Sequence, residues 1–285
     1  MKKLLLIDAN SLLYRSFFAL PPLTAPDGTP SGGLYGLASI LIKIFREHRP
    51  DYAAAAFDRP EPTFRKQSFA EYKITRPAAP EPLIFQVKES PSLFSVFNIK
   101  SFALAGFEAD DIIATFARRF RKEEEIIILS GDYDTLQAVE DDRIIVWIPR
   151  KGISEFDIYN EDGVVKKYGI KPGQMSDYKG LVGDKSDNIP GVRGIGPKTA
   201  SVLIRQFGSL EEFYEIAGDS NDSRYQKIIA GKESALLSKR LAKLDFNVPL
   251  EASLNDLLVR EIDLEKIKEF FNRKGFNSLI GRLEK

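Results

Sequence analysis

The sequence contains no cysteine and only one histidine among its 285 residues. The absence of cysteine excludes disulfides, thiolate nucleophiles, zinc fingers and iron–sulfur clusters. A single histidine excludes metal sites built from several imidazoles. That residue, His48, precedes Arg49-Pro50, which favours a helix end over a catalytic base. If the protein is an enzyme, carboxylates and lysines must carry its chemistry.

Long apolar runs are also missing, since no stretch approaches the roughly 18 uncharged apolar residues that a membrane span requires. The first apolar run, residues 4–7, is too short for a signal peptide and is followed at once by Asp8. We therefore expect a cytoplasmic protein without a membrane partner. The net charge is zero, with 41 basic and 41 acidic residues, so the total gives no argument for nucleic acid.

Short β-rich or apolar runs alternate with segments of helical periodicity in the first half of the chain. The runs lie at 3–7, 52–57, 100–104, 125–129 and 143–148, and the helical segments at 11–20, 33–46, 83–97 and 110–121. This alternation predicts an α/β fold with a mostly parallel central sheet flanked by helices. A short ribbon is expected at 152–159, followed by helices. We therefore predict an α/β core over 1–160 and a helical region over 161–285.

Three of the predicted strands end in an acid, at Asp8, Asp58 and Asp132. The carboxyl ends of parallel strands share one edge of a sheet, so these side chains should converge. Six further acids are expected near the same edge: Glu108, Asp110, Asp111, Asp134, Asp184 and Asp187. Each alone could cap a helix, favour a helix N-terminus or form a turn.

Nine carboxylates at one edge would repel one another unless divalent cations neutralised them. Oxygen ligands without cysteine or several histidines favour Mg²⁺ or Mn²⁺ over zinc. The rest of the chain then carries a net charge of +9, since 41 basic residues face 32 remaining acids. An acidic pocket within a basic surface is the arrangement expected of a nuclease.

A proline-rich and basic insertion occupies residues 59–82. Aromatic and basic residues are interleaved there, in Phe64-Arg65 and in the stretch from Tyr72-Lys73 to Arg76. Proteins that bind single strands often show this pattern, and a solvated basic face would look similar. If the stretch is helical, residues 72, 73 and 76 lie within about one turn.

A glycine-rich turn over residues 191–196 separates two predicted helices, at 175–181 and from Pro197 to Gly208. Glycines allow backbone N–H groups to approach a phosphate at the N-terminus of the second helix, where Lys198 could also reach it. The alternative is an ordinary helical turn. We predict a helix-hairpin-helix over about 174–208 that binds duplex DNA without regard to sequence.

Taken together, these motifs resemble the 5′-nuclease family, which includes the nuclease domain of bacterial DNA polymerase I, phage 5′ exonucleases and flap endonucleases. The resemblance covers essentially the whole chain. It rests on Leu-Ile-Asp8-Ala-Asn-Ser-Leu-Leu-Tyr14-Arg15, Ala-Phe-Asp58, Phe64-Arg65, Tyr72-Lys73-x-x-Arg76-Pro77, Glu108-Ala-Asp110-Asp111, Gly131-Asp132-x-Asp134 and Gly183-Asp184-x-Ser-Asp187-Asn188-Ile-Pro-Gly.

The resemblance implies a PIN-like fold with a helical arch in the region 59–98, and a 5′-3′ exonuclease and flap endonuclease used in primer removal and DNA repair. It makes the nine acids ligands of two or more Mg²⁺ or Mn²⁺ ions, and Lys73, Arg76 and Asp111 catalytic residues. It assigns DNA contacts to Tyr14, Arg65, Tyr72, Lys73, Arg76, Gly194, Gly196, Lys198 and Thr199, and a K⁺ ion to the hairpin.

The implied partners are DNA with 5′ flaps, nicks or free 5′ ends, and RNA-primed DNA. A monomer is expected, and both a stand-alone protein and a part of a longer polymerase remain open. Two positions depart from the family pattern: Tyr133 stands where lysine is common, and Asn98 where glycine is common.

Three other classes of protein remain as alternatives. The first is a non-catalytic, structure-specific DNA-binding protein that keeps the hairpin. The second is a phosphatase of the haloacid dehalogenase type, although Asn10 replaces the second acid of its Asp-x-Asp motif. The third is a related RNase, although such domains are usually shorter and lack the hairpin.

Overall fold

A six-stranded sheet lies at the centre of the structure, a computed structural model that describes residues 2–150 and 155–283. Its strands are β1 (Lys3–Asp8), β2 (Tyr52–Ala56), β3 (Lys100–Phe102), β4 (Glu125–Leu129), β5 (Ile144–Pro149) and β6 (Phe156–Tyr159). They are ordered β3-β2-β1-β4-β5-β6, and only β6 runs antiparallel to its neighbour. The predicted mostly parallel sheet is confirmed. Residues 152–154 of the predicted ribbon lie outside the described residues.

Helices cover both faces of this sheet. They are α1 (Ala9–Ala19), α2 (Gly32–His48), α3 (Phe64–Ser68), α4 (Glu81–Val96), α5 (Ala109–Phe120), α6 (Glu161–Tyr168), α7 (Met175–Val182), α8 (Pro197–Phe207), α9 (Leu210–Ala217), α10 (Gln226–Ala230), α11 (Lys232–Ala242), α12 (Leu264–Lys274) and α13 (Asn277–Leu283). Within the described ranges, none of them is long and apolar enough to cross a membrane.

Alternate residues of each central strand point to opposite faces, so the sheet has two apolar cores. Leu4 and Leu6 of β1 belong to the core that contains α5 and the helices α6 to α11. Leu5 and Ile7 belong to the other core, with α1, α2, α4, α12 and α13. Helices after residue 160 therefore contribute to both cores, and the boundary proposed there stays a prediction.

The strand order places a topological switch point beside β1. From β1 the chain moves to β2 and β3 on one side of the sheet and later returns to β4 and β5 on the other. Open parallel sheets bind ligands at the carboxyl edge of such a point. Asp8 ends β1, Asp58 follows β2 by two residues, and Asp132 follows β4 by three. The fold thus brings these three acids to one edge, as predicted.

The loop between α7 and α8 is closed by two glycines in contact. Gly183 and Gly191 have positive φ values of 74° and 63°, a region that side chains disfavour. A Cβ atom on Gly191 would lie 2.4 Å from the backbone nitrogen of Gly183. Between them, Asp184 and Ile189 exchange backbone hydrogen bonds of 2.9 and 2.8 Å. The glycines therefore let this acidic loop close tightly.

Replacing Gly191 with alanine is expected to lower the free energy of unfolding by about 2 to 4 kcal/mol, because the methyl group meets backbone atoms and the left-handed conformation is strained. The matched control is Gly173→Ala, where an added Cβ has no neighbour within 4 Å. Urea unfolding of both variants measures the difference. Equal effects of the two substitutions would contradict the close contact.

Candidate active site

A pocket of about 350 Å³ opens at the carboxyl edge of the sheet. Five acids line it, each anchored near the end of a strand or the start of a helix: Asp8, Asp58, Glu108, Asp110 and Asp132. Tyr14 and the basic residues Arg15, Lys73 and Arg76 also line it. The pocket therefore combines a cluster of carboxylates with cations of the chain itself.

Asp8 is held by the turn that begins α1 and by the end of β4. Its Oδ1 accepts a 3.0 Å hydrogen bond from the backbone N–H of Ser11, and its Oδ2 accepts one of 2.7 Å from the hydroxyl of Ser130. Burial, with the nearby charge of Asp58, raises the pKa of Asp8 to about 6. Two hydrogen bonds thus fix a carboxylate whose charge is unfavourable without a cation.

Asp110 carries the clearest sign of a cation site. Among the described residues, its Oδ1 is buried without a hydrogen-bond partner, and so is Oδ1 of Asn10 in the same pocket. Burial raises the pKa of Asp110 well above its usual range, and the charges of Asp111 and Glu108 raise it further. An unpaired buried carboxylate oxygen is costly unless an ion binds it, so these oxygen donors fit a divalent cation.

The acids do not yet surround a single ion. Within the described residues, no three acidic side chains are arranged to hold one metal. Instead, Nζ of Lys73 lies 2.7 Å from Oε1 of Glu108, and Arg76 pairs with Asp187. Lysine and arginine side chains therefore neutralise part of the acidic edge.

Asp111 has a different place from the one expected of a metal ligand. Its side chain is fully buried, and both its oxygens accept 2.7 Å hydrogen bonds from the guanidinium of Arg65. It also accepts from the backbone N–H groups of Glu108 and Asp245, at 3.1 and 2.8 Å. The structure thus places Asp111 beneath the pocket, paired with Arg65, and its role as a catalytic residue and metal ligand stays a prediction.

Arg65 is buried, although its basic segment predicted an exposed DNA contact. Its side chain is 2% exposed, and it also donates to the carbonyl oxygens of Leu241 and Lys243, at 2.9 and 2.8 Å. These bonds connect α3 to the end of α11. Arg65 therefore joins separate parts of the chain and stabilises the floor of the site.

The segment after α3 does not continue as a helix. Lys73 has a positive φ of 56°, and residues 70–75 form turns, so the helical spacing considered for residues 72, 73 and 76 is wrong. Tyr72 is 3% exposed, and its hydroxyl lies 3.1 Å from Oε2 of Glu108 and 3.2 Å from Oδ2 of Asp187. In this conformation Tyr72 cannot stack on a base, whereas Tyr14 is 38% exposed.

A second acidic group lies beside the pocket without lining it. Lys179 on α7 pairs with both Asp134 and Asp184, in the latter case at 2.8 Å. Burial raises the pKa of Asp134 to about 7. Lys179 and Ser186 hold the pKa of Asp184 at about 2, although burial opposes them. These two acids, together with Asp187, thus have partners from the chain itself.

The glycine-rich turn joins α7 to α8, as the hairpin prediction required. The N–H of Val192 donates a 2.8 Å hydrogen bond to the carbonyl oxygen of Leu181, which ties the turn to α7. Gly194, Lys198 and Thr199 are exposed, and Gly196 precedes the first residue of α8. The first N–H groups of a helix lack intrahelical partners, so this end can receive a phosphate. DNA binding by these residues stays a prediction.

Sequence reasoning missed Ser11, Ser130 and Lys179 as parts of the site. Ser11 and Ser130 lie three residues after Asp8 and two residues before Asp132, spacings typical of side chains that bond to a neighbouring turn. Lys179 lies on a short amphipathic helix and gives no sequence signal of its own. His48 is the last residue of α2, as predicted. Its ring packs against that of Trp147, with the ring centroids 4.5 Å apart.

The structure thus combines an acidic pocket at the switch point of a mostly parallel sheet with a glycine-rich turn between two helices. Residues 3–169 match the family described as 5′-3′ exonuclease, N-terminal resolvase-like domain. Residues 170–265 match its partner, described as 5′-3′ exonuclease, C-terminal SAM fold. The chain therefore belongs to the 5′-3′ exonuclease family.

Individual relatives agree with this assignment. The chain is 36% identical over 288 residues to a 5′-3′ exonuclease of Aquifex aeolicus, covering 100% of this chain and 96% of that protein. It is 39% identical over 283 residues to DNA polymerase I of Caldicellulosiruptor bescii, covering 99% of this chain but 33% of the polymerase. The chain thus spans about a third of the length of that relative.

A solved structure shares the fold at lower identity. The bacteriophage T5 flap endonuclease, in a complex with DNA and metal ions, matches with a TM-score of 0.69 and 17% identity. The match covers 100% of both chains. At this level of identity, the likeness concerns the fold.

Proposed function

We propose that this chain is a structure-specific 5′ nuclease that hydrolyses DNA near free, nicked or flapped 5′ ends, including RNA-primed ends. The observation that carries the proposal is the buried oxygen of Asp110, which has no hydrogen-bond partner among the described residues and lies in an acidic pocket at the switch point. A non-catalytic DNA-binding protein would have no use for such a costly group. Primer removal and excision repair are the cellular roles that this activity would serve.

In this proposal Asp8, Asp58, Asp110 and Asp132 would hold Mg²⁺ or Mn²⁺, and Glu108 would join them if Lys73 were drawn away. When bound, the ions would supply a water activated at neutral pH and stabilise charge on the leaving oxygen. The fixed hydrogen bonds to Asp8 orient its oxygens before metal and substrate arrive. Asp134, Asp184 and Asp187 would form a second ligand group if DNA displaces their cationic partners.

Lys73 and Arg76 line the pocket and would neutralise the scissile phosphate. Tyr14, which is partly exposed in the same pocket, would stack on a terminal base. The hairpin around Gly194, with Lys198 and Thr199, would bind the duplex backbone, with K⁺ as its proposed monovalent ion. Contacts to backbone and to an unpaired end would give selectivity for structure over sequence.

The test uses a 5′-labelled duplex with a 5′ flap, incubated with Mg²⁺, Mn²⁺ or EDTA, with binding measured separately. We expect cleavage near the junction with either metal and none with EDTA, while duplex binding persists in EDTA. Structure-selective binding without cleavage in either metal would favour the non-catalytic alternative. Release of the 5′ phosphate alone would favour the phosphatase alternative.

A further inference from the structure

A second cavity, of about 850 Å³, lies outside the acidic pocket. Phe64 and Ser68 of α3 form one side, and Arg118 of α5 contributes another. Arg240 at the end of α11 and the segment 243–247 complete its lining. This cavity has no role in the metal site described above.

The cavity is positively charged. Arg118, Arg240 and Lys243 line it and are exposed, and Asp245 is its one lining acid. An oxygen of Asp245 already accepts a 2.8 Å hydrogen bond from the backbone N–H of Asn247. In the described part of the chain, no carboxylate forms an ion pair with any of the three cations. These cations remain available to an anionic ligand.

Aromatic rings accompany the charges. Phe64 and Phe246 are both partly exposed in the lining, and the guanidinium of Arg118 lies 5.7 Å from the centroid of Phe246. Side chains that offer both cations and aromatic faces suit single-stranded nucleic acid, because phosphates bind the cations and bases stack on the rings. An acidic peptide would use the cations but would gain less from the rings.

The buried side chain of Arg65 separates this cavity from the acidic pocket. It donates to the carbonyl oxygens of Leu241 and Lys243 in the cavity lining, and its NH1 lies 3.4 Å from Oε2 of Glu108 in the pocket. A strand cleaved in the pocket therefore has a basic and aromatic cavity close beside it. The geometry favours an occupant continuous with the substrate.

We propose that this cavity binds the unpaired 5′ strand of a flap substrate. The proposal rests on the nuclease function and adds a binding site for the single-stranded part of the substrate. Phosphates contact Arg118, Arg240 and Lys243, and bases stack on Phe64 and Phe246. We expect little dependence on base sequence, because every base has a face that can stack on a ring and every nucleotide has a phosphate that can bind a cation.

The test is a triple variant, Arg118→Gln with Arg240→Gln and Lys243→Gln, assayed on two duplexes that differ only in a flap of about ten thymidines. We expect its affinity for the flap substrate to fall at least about tenfold. The slope of the logarithm of the binding constant against the logarithm of the salt concentration should become shallower by about two, because three single-strand phosphate contacts are lost. Affinity for the nicked duplex without a flap should change much less.

The matched control removes three exposed cations from the opposite face of the sheet, with Lys88→Gln, Arg260→Gln and Arg273→Gln. Equal losses in the two triple variants, or equal losses on both substrates, would overturn the proposal in favour of a general charge effect. Displacement of a thymidine oligonucleotide by polyglutamate at comparable charge concentration would overturn it in favour of an acidic partner. Wild-type protein that binds flaps through these cations but cleaves no substrate would refute the nuclease function alone.

Discussion

Substitution of Asp110 by asparagine is expected to reduce metal-dependent cleavage by at least about a thousandfold, while the metal-free protein becomes more stable. Activity should be lost because a neutral amide is a poor ligand for a divalent ion. Such an ion stabilises the charge of the transition state by several kcal/mol. Each 1.4 kcal/mol or so of lost stabilisation slows the reaction about tenfold. The size of the amide matches the carboxylate, so the pocket should keep its shape.

The gain in stability follows from the environment of the same side chain. Its buried Oδ1 has no partner among the described residues, and Asp111 and Glu108 lie close enough to raise its pKa. Removal of this charge relieves both desolvation and repulsion, by about 1 to 3 kcal/mol, or a few degrees in melting temperature. Functional sites often carry such strained groups at the expense of stability.

The pH dependence of this gain has a definite sign. When folding raises the pKa of a carboxyl group, the folded protein is most stable at low pH, where the group is protonated. This stability is lost as the pH rises through the pKa of the group in the folded state. The pKa of Asp110 is raised, so the wild-type protein should lose stability with rising pH where the variant does not. The difference between their melting temperatures in EDTA should therefore widen from pH 4 upwards.

Melting curves in EDTA and in Mg²⁺, together with cleavage of a 5′-flap duplex, measure both parts of this prediction. The control is Asp219→Asn, which removes the same charge from an exposed residue between α9 and α10. Mg²⁺ should raise the melting temperature of the wild type more than that of Asp110→Asn. A variant that cleaves normally, or one that is less stable in EDTA, would show that Asp110 is not a strained metal ligand.

The sheet and its acidic edge could be predicted because they depend on local patterns. The apolar runs of β1 and β4 are distinct from their surroundings, and the chain between them alternates regularly with helices. Once the strands are parallel, the rule for carboxyl ends brings Asp8, Asp58 and Asp132 to one edge without further information. These residues line one pocket in the structure.

The pairing of charges could not be predicted, because it depends on contacts between distant segments. Arg65 and Asp111 are 46 residues apart, and an arginine within a basic, proline-rich segment has the sequence pattern of an exposed contact. The same holds for Tyr72, which stands between charged residues yet packs beside Ile189 and Leu241. In both cases the tertiary fold buries a residue that its neighbours in sequence mark as accessible.

The positions of the last two helices, α12 and α13, also could not be predicted from local sequence. The sequence after residue 160 reads as a continuous helical region, but α12 and α13 return to the core that contains α2 and α4. Phe271 and Phe276 are almost fully buried there. No local pattern indicates which face of the sheet an amphipathic helix will cover, since both faces are apolar.

Replacement of Arg65 by methionine is expected to lower the free energy of unfolding by about 3 to 5 kcal/mol, because it leaves Asp111 as a buried charge without its partner. Arg65 also donates to two carbonyl oxygens at the end of α11, so the attachment of that helix is weakened too. A loss of this size is a large fraction of the usual stability of a folded domain. Urea unfolding, followed by the fluorescence of Trp147, measures it.

Asp111→Asn separates a structural role from a catalytic one. The asparagine can still accept the backbone hydrogen bond of Asp245 but loses the charge that holds Arg65, so the protein should be destabilised yet remain able to fold in the cold. At a temperature where unfolding curves show it to be folded, we expect metal-dependent cleavage within about tenfold of wild type, or roughly 1.4 kcal/mol in barrier. Asp110→Asn should stay inactive at every temperature. Folded Asp111→Asn protein as inactive as Asp110→Asn would instead make Asp111 part of the metal site, and the four hydrogen bonds that now satisfy its carboxylate would have to rearrange when the ions bind.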